Sequence, residues 1–564
     1  MDKRQIEADY QRWRERATSD ADLVAELKNI DGDDAKIEDA FYCELAFGTG
    51  GLRGAIGAGT NRMNVYTVAK ASQGLADYVK KKFPEEQWKI AVSFDSRIKS
   101  ALFSKVASGV FAANGIRVYI YTELMPTPCL SFAVREIGCA AGIMVTASHN
   151  PSKYNGYKIY GADGCQITTD VTAEIFAEIE KLDVFDDVKT MNFEVGIEKG
   201  LIFYILEDVY TAFVEEVKKQ SVLGTEVVDK NVSIVYSPLN GTGLKPVLRT
   251  LKESGYTNIM VIKEQEQPDG NFPTCPNPNP EIREAMTLGM EYAAKCNADL
   301  LLATDPDCDR VGIAVKNVER EYVLLSGNET GMLLLDYICS KRVAQGTMPN
   351  DPVLVKTIVT SDMAERIAAH YGVRTVNVLT GFKFIGEQIG KLEAQGKVDS
   401  YVFGFEESYG YLSGSYARDK DAVGGALLIC EMFAYYKTKG LSLLQKLNEL
   451  YAEYGFCHNT LYSYEFEGST GFAKMQGIMA KFHGGVDVIG PKKVLNCLDY
   501  SKGLDGLPKS DVLKYVLEDN CSVVVRPSGT EPRLKVYISI TAENKAKAEK
   551  LEMKIIEDLK VYFE

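Results

Sequence analysis

Three aspartates take alternate positions in the stretch DPDCDR at 305–310, namely Asp305, Asp307 and Asp309. In extended backbone, residues two apart face the same side, so the carboxylates crowd one face. Like charges at that spacing repel unless a divalent cation sits among them. An all-oxygen donor set suits Mg²⁺ or Mn²⁺ better than zinc. The loop is not an EF-hand, because Arg310 stands where the sixth position needs glycine and Lys316 where the twelfth needs glutamate. A solvated acidic turn is the plain alternative, an odd feature directly after the apolar run LLLAT.

The stretch TASHNPSKYNG at 146–156 sets Ser148 beside His149. A hydrolase nucleophile often sits in a G-x-S-x-G elbow, and the flanks here are Ala147 and His149. Adjacent side chains in a strand or turn tend to point apart, which places His149 poorly as a base for Ser148; it is kept among the candidate catalytic residues. A turn stabilised by Ser and Asn hydrogen bonds is the structural alternative. A phosphorylated Ser148 needs something else. It brings about −1.5 to −2 charges, which a caged cation could offset, and phosphoryl transfer is mainly positioning and charge neutralisation. A sugar hydroxyl also needs a proton partner. Lys158, in YNGYKIY, is a candidate, provided that burial or cations such as Arg53 and Arg310 lower its pKa from about 10.4.

Two further loops carry polar inventories. RPSGTEPR at 526–533 gathers Arg526, Ser528, Gly529, Thr530 and Arg533 around a turn, a set suited to a phosphate monoester. GFEESYG at 404–410 places Glu406, Glu407 and Ser408 between glycines, where they could bond sugar hydroxyls. Either stretch could also be a plain polar turn. No Walker-type phosphate loop occurs in the chain.

These segments follow apolar strand-like runs. TASHNPSKYNG comes after AGIMV, DPDCDR after ADLLLAT, GFEESYG after SYVF and RPSGTEPR after SVVV. Strand-like runs alternate with amphipathic helical patterns, the pattern of βαβ units with mixed or mostly parallel sheets. In open α/β sheets ligands bind beyond the carboxyl ends of strands, so the four loops are expected to converge on one central cleft. The 564 residues exceed one core several-fold. We expect three related α/β units followed by a smaller α+β domain, divided as 1–205, 206–322, 323–455 and 456–564. The Pro-rich stretch QPDGNFPTCPNPNPE at 267–281 reads as a loop.

The net charge of −14 comes from 78 acidic and 64 basic residues without a basic block, which argues against nucleic acid as a partner. The N-terminal stretch is charged and no run of about 18 apolar residues occurs, so neither secretion nor a membrane is expected. The 12 cysteines are scattered singly, as buried reduced thiols in a cytoplasmic protein would be.

Over nearly its whole length the chain resembles the α-D-phosphohexomutase family, and more narrowly its phosphoglucomutase members. TASHNP resembles the phosphoserine loop, DPDCDR the metal loop, GFEESYG the sugar loop and RPSGTEPR the phosphate loop, in that order. The resemblance implies a phosphorylated Ser148, and Mg²⁺ held by Asp305, Asp307, Asp309 and an oxygen on Ser148. It implies Lys158 as general acid–base, Arg53 brought to the cleft by FGTGGLRG at 47–54, and Lys383 as a second basic group in TGFKFIG at 380–386. Thr380, Gly381, Arg310, Arg418 and Lys420 are the further substrate-binding candidates it suggests. Pro306 and Cys308 stand where many members carry glycine, while all three carboxylates and Arg310 remain. GTGGLRG and GAGTNRMN look more like the branch of phosphopentomutase-like enzymes and bacterial phosphoglucomutases.

The implied activity interconverts glucose 1-phosphate and glucose 6-phosphate through a phosphoserine and glucose 1,6-bisphosphate, which also serves as activator. Mannose and pentose phosphates are the alternative substrates, and a monomer or a homodimer is compatible with the sequence. A zinc-type phosphatase is disfavoured because the four histidines, at 149, 370, 458 and 483, are not paired at ligand spacing. A non-catalytic sugar-phosphate binder is disfavoured because nucleophile, carboxylates and bases occur together.

Overall fold

The apolar runs become central strands in a computed structural model, which describes residues 2–48, 50–466, 468–527 and 533–563. In the first sheet Ala141–Val145 pairs in parallel with Lys89–Phe94, which is followed outward by Arg117–Tyr121 and Ile202–Ile205. On its other side Ala141–Val145 pairs antiparallel with Tyr154–Gly161, and that strand with Gly51–Ala55. All five residues of Ala141–Val145 are buried. Helices cover both faces of such a strand, so its sequence is apolar throughout and does not alternate.

The second and third sheets repeat this plan. Leu300–Thr304 is parallel to Ile234–Ser237 and antiparallel to Val311–Lys316, while Tyr401–Glu406 is parallel to Val353–Thr357 and antiparallel to Gly410–Leu412. In each unit a central parallel strand turns back into an antiparallel neighbour, and the turn is one of the polar loops. Each turn also holds a non-glycine residue at positive φ, Ser148 at 51°, Cys308 at 51° and Tyr409 at 66°. Non-glycine residues in that region are uncommon and concentrate at functional sites.

The C-terminal unit differs. Its six strands, from Phe456–Glu465 to Arg533–Ala542, are ordered as an antiparallel sheet, with helices Gly468–His483 and Lys545–Phe563 packed against it. One face of the sheet closes its own core around Tyr515, Val523, Val525 and Ile538. The other contributes Val524 and Tyr537 to the core shared by the second and third units, so the fourth domain is docked and not tethered. At the other end of the chain, helices Lys3–Arg16, Ala21–Asn29 and Asp34–Phe41 insert Tyr10, Trp13 and Phe41 into the core of the first sheet. The twelve cysteines are free thiols, most of them buried. Among the described residues no helix is long and apolar enough to cross a membrane.

Candidate active site

Ser148 lies at the carboxyl end of Ala141–Val145, in the turn that leads to Tyr154–Gly161. Its hydroxyl donates to Asp305 Oδ2 of the second domain at 2.9 Å. His149 Nδ1 lies 3.2 Å from Ser148 Oγ. The expectation that these adjacent side chains point apart is thus overturned, because the positive φ of Ser148 bends the chain and brings both side chains to one side. Burial, with Arg310 and Arg53 nearby, holds the imidazole well below the usual histidine range.

The turn is held from outside. The buried Arg97 guanidinium donates to the carbonyls of Ser148 at 2.5 Å, of Pro151 and Tyr154 at 3.1 Å each, and of Asn150. Asp95 Oδ2 accepts the Thr146 hydroxyl at 2.5 Å, and Thr146 Oγ1 accepts the Ser148 N–H at 2.8 Å. The sequence reading missed both Asp95 and Arg97. A signal existed: DSR follows KIAVSF, another polar segment directly after a strand.

Asp305, Asp307 and Asp309 each offer an oxygen within 4.8 Å of the others, and all three are buried. Asp305 Oδ1 accepts the N–H groups of Asp309 at 3.1 Å and Arg310 at 2.9 Å, which fixes the turn. Asp307 Oδ1 and Asp309 Oδ1 are buried without a hydrogen-bond partner among the described residues. Burial and its two neighbours raise the Asp305 carboxyl well above the ordinary range. Burial works the same way on Asp307, yet the Lys158 ammonium outweighs it and holds that carboxyl low.

Lys158 Nζ sits 2.7 Å from Asp307 Oδ2 and 3.5 Å from Asp309 Oδ2. Its pKa is raised, contrary to expectation, because the two aspartates overcome both burial and the nearby Lys420. Lys420 itself lies 3.1 Å from Asp309 Oδ2. Thr127 supplies a contact the sequence did not reveal, since its hydroxyl donates to Asp307 Oδ2 and its N–H to the Asp307 carbonyl, each at 2.9 Å. Two side chains of the first domain therefore grip one carboxylate of the second.

The GFEESYG loop faces the same cluster, with Lys420 acted on by both Asp309 and Glu406. Glu406 Oε1 accepts the Gly381 N–H at 2.9 Å. Its carboxyl is pushed up to about 7 by burial and by Glu407, with Lys420 and Arg310 opposing. Glu407 accepts the hydroxyls of Thr357 and Thr360 at 3.3 Å each, while Ser408 and Thr380 are half-buried beside these groups in the chain. Arg310 is paired with Glu281 of the Pro-rich loop, a partner that local spacing could not disclose.

The remaining assignments divide. Arg53 lies opposite Gly156 across an antiparallel strand pair, and its charge reaches both His149 and Arg97. Lys383 begins the helix Phe382–Ala394, and its surroundings are Cys165, Glu387 and the Phe384 ring; burial lowers its pKa. Arg418 is not brought to the cluster. Its fully buried guanidinium is committed to Glu393 at 2.8 Å and to the Ser415 carbonyl, because the residues that follow it turn toward Asp309 while its own side chain points back into the interface between the first and third domains. In the fourth domain Arg526 lies across from Lys535, and Glu407 is near enough to act on the Lys535 charge. Lys535 was not singled out from the sequence. Arg533 pairs with Glu465 at 2.5 Å. Ser528, Gly529 and Thr530 lie outside the described residues.

Comparison with known proteins finds four successive domain matches along the chain. Profiles described as phosphoglucomutase/phosphomannomutase alpha/beta/alpha domains I, II and III match residues 44–185, 209–319 and 326–454, and that of the C-terminal domain matches 469–557. A protein named phosphoglucomutase from Staphylococcus haemolyticus is 34% identical over 523 residues, covering 90% of this chain and 92% of that one. One of the same name from Staphylococcus saprophyticus is 35% identical over 514 residues, covering 89% and 91%. The fold is shared with the crystal structure of a putative phosphomannomutase from Thermus thermophilus, at a TM-score of 0.68 and 21% identity over 92% of this chain and 99% of that one. It is also shared with the open form of parafusin, a phosphoglucomutase from Paramecium, at a TM-score of 0.67 and 18% identity over 92% and 94%.

Proposed function

The chain belongs to the phosphoglucomutase/phosphomannomutase family and is a phosphosugar mutase; from that premise we propose that it interconverts glucose 1-phosphate and glucose 6-phosphate through a phosphoserine at 148 and glucose 1,6-bisphosphate. The observation that carries this reading is the 2.9 Å contact between the Ser148 hydroxyl and Asp305, which joins the serine of one domain to the carboxylate cluster of the next.

The cluster fits Mg²⁺. Its donors are all oxygen, and two of them, Asp307 Oδ1 and Asp309 Oδ1, are buried with no hydrogen-bond partner among the described residues. Asp305, Asp307 and Asp309 would hold the ion, which when bound supplies neutralisation of phosphoryl charge. The protein's own groups do the rest. In the first transfer the bond from phosphorus to Ser148 Oγ breaks as a sugar hydroxyl oxygen bonds to phosphorus. The hydroxyl proton passes to a general base, for which Lys158 is the candidate once the charges of Asp307 and Asp309 that hold its ammonium are neutralised, and Ser148 regains a proton. The bisphosphate turns end for end, and the reverse steps return its other phosphoryl group to Ser148. Glu406, Glu407 and Ser408 receive the sugar hydroxyls. Arg526 and the loop after it hold the phosphate that is not reacting.

Replacement Ser148→Ala tests the proposal. The variant is expected to keep the parent's circular dichroism and unfolding midpoint, to take up no phosphoryl group from glucose 1,6-bisphosphate by intact mass, and to show no turnover. Normal mutase activity in that variant would reject the assignment. A coupled assay with glucose, mannose and ribose 1-phosphates identifies the preferred sugar, and a preference for mannose or ribose would overturn the choice of glucose.

A further inference from the structure

Ser148 is gripped on both sides of its own peptide units. Its N–H is held by Thr146 Oγ1 at 2.8 Å, and that hydroxyl in turn donates to Asp95 at 2.5 Å. Its carbonyl accepts from Arg97 at 2.5 Å. Arg97 also takes the carbonyls of Asn150, Pro151 and Tyr154, which span the turn to its end. Asp95 fixes Arg97 in return, by accepting its backbone N–H at 3.0 Å and by an ion pair at 3.4 Å between two side chains of 0% exposure. Asp95 also accepts the Ser100 hydroxyl at 2.8 Å. So many bonds converging from one side chain on one turn exceed what a loop needs merely to be capped. They hold the turn in which Ser148 takes its positive φ.

The clamp reaches the second domain. The Phe272 ring covers the Arg97 guanidinium with its centroid 5.1 Å from Cζ, a geometry in which the ring quadrupole attracts the cation. Beside it Gly270 packs so closely that a Cβ there would meet Ile98 N at 2.4 Å. Further along the same Pro-rich loop, Glu281 pairs with Arg310, and Pro280 lies against Gly312. One loop therefore touches both the holder of the serine and the flank of the carboxylate cluster.

We infer that Asp95 and Arg97 are positioning residues that aim the Ser148 hydroxyl at the carboxylate cluster, and that Phe272 keys this clamp to the domain bearing that cluster. The inference rests on the proposed role of Ser148. Lysine cannot replace Arg97, because a compact ammonium with three donors does not span carbonyls that a planar fork with five can reach.

The experiment compares Arg97→Lys, Asp95→Asn and Phe272→Leu with the parent in the full chain with Mg²⁺, scoring kcat and KM per folded enzyme and the rate of Ser148 phosphorylation by glucose 1,6-bisphosphate. A misplacement of about 1 Å costs about 10²-fold, so Arg97→Lys is expected to lose about that factor in kcat and in phosphorylation rate, with KM within about threefold of the parent. Asp95→Asn and Phe272→Leu are expected to lose at least about tenfold by the same measures. A purely structural role predicts lower unfolding midpoints with kcat per folded molecule unchanged, and that outcome overturns the inference. If Arg97→Lys does not fold, the near-isosteric Asp95→Asn and the second-domain Phe272→Leu decide the matter in the same way. Unchanged kcat in these variants beside an inactive Ser148→Ala refutes the clamp alone, whereas an active Ser148→Ala removes the role of Ser148 and the clamp with it.

Discussion

Replacing Asp362 by asparagine should loosen the fourth domain, and its magnitude follows from the charges the carboxylate holds. Asp362 Oδ1 lies 2.7 Å from Lys514 Nζ of the fourth domain and 3.4 Å from Lys356 Nζ, and Oδ2 accepts the Ser522 hydroxyl at 2.8 Å. Lys356 has one further acidic partner, Glu365 at 3.0 Å. Asparagine preserves the shape and removes the charge, which leaves two buried ammonium groups facing one carboxylate. Removing one partner of a buried pair costs about 3–5 kcal/mol. The side chain of Asp362 keeps 21% exposure, so about 3 kcal/mol is the expected loss after solvent screening. The loss should also depend on pH. Burial already lowers the pKa of Lys514, and removal of Asp362 lowers it further. A depressed lysine destabilises the folded state most where both states are charged, below its folded pKa, and the penalty fades as pH rises toward the unfolded value of about 10.4. The defect should therefore be largest near neutrality and shrink in alkali. Hydrogen exchange of the strands Leu513–Leu517 and Cys521–Pro527 reads the docking directly, and KM for the sugar phosphate reads its consequence, because Cys521–Pro527 carries Arg526 toward the cleft. Parent-like protection in these strands at pH 7, or a defect that grows with pH, would refute this account of the interface. The paired change Asp362→Leu with Lys514→Met should cost less than the sum of its parts.

Chelation with EDTA should abolish turnover, and Mg²⁺ or Mn²⁺ should restore it more fully than Zn²⁺ as measured in the coupled assay, because the donor set is carboxylate oxygen. Burial pushes the Glu406 carboxyl up to about 7 from about 4.3 in an unfolded chain; its share of stability should thus decline as pH rises between those values, and Glu406→Gln should flatten that decline in denaturant midpoints taken at pH 5 and pH 8. An identical decline in the variant would count against it. Gly156→Ala would set a Cβ 2.5 Å from the Thr146 carbonyl and 2.9 Å from that of Leu52, both backbone atoms, so a stability loss of about 1–3 kcal/mol and a lower kcat are expected from thermal unfolding and steady-state rates.

The site was legible where the chemistry is written in neighbouring residues. Alternating aspartates in one short loop, a serine after a buried strand, and arginines around a Ser-Gly-Thr turn are local patterns, and their order along the chain pointed to one cleft. Groups whose meaning depends on a distant partner were not legible. Glu281 lies in a stretch that reads only as a proline-rich loop, and its pairing with Arg310 crosses 29 residues. Lys535 looks like any strand lysine until the register sets it opposite Arg526. Arg418 shows the converse, since a basic residue within the polar stretch ARDKDA at 417–422 looked available to a ligand and is buried against Glu393.

What the amino-acid sequence determined by itself was the inventory and its periodicity: apolar strands that need cover on both faces, the polar turns at their ends, and the residue types able to carry a phosphoryl group or cage a cation. Tertiary structure alone decided distance and charge state. Ser148 and Asp305 are separated by 157 residues and meet at 2.9 Å. Lys158 gains rather than loses proton affinity, because two aspartates from another domain lie within 3.5 Å of its ammonium. Electrostatic energy depends on separation in space and on burial, and neither is recorded in the order of residues until the chain has folded.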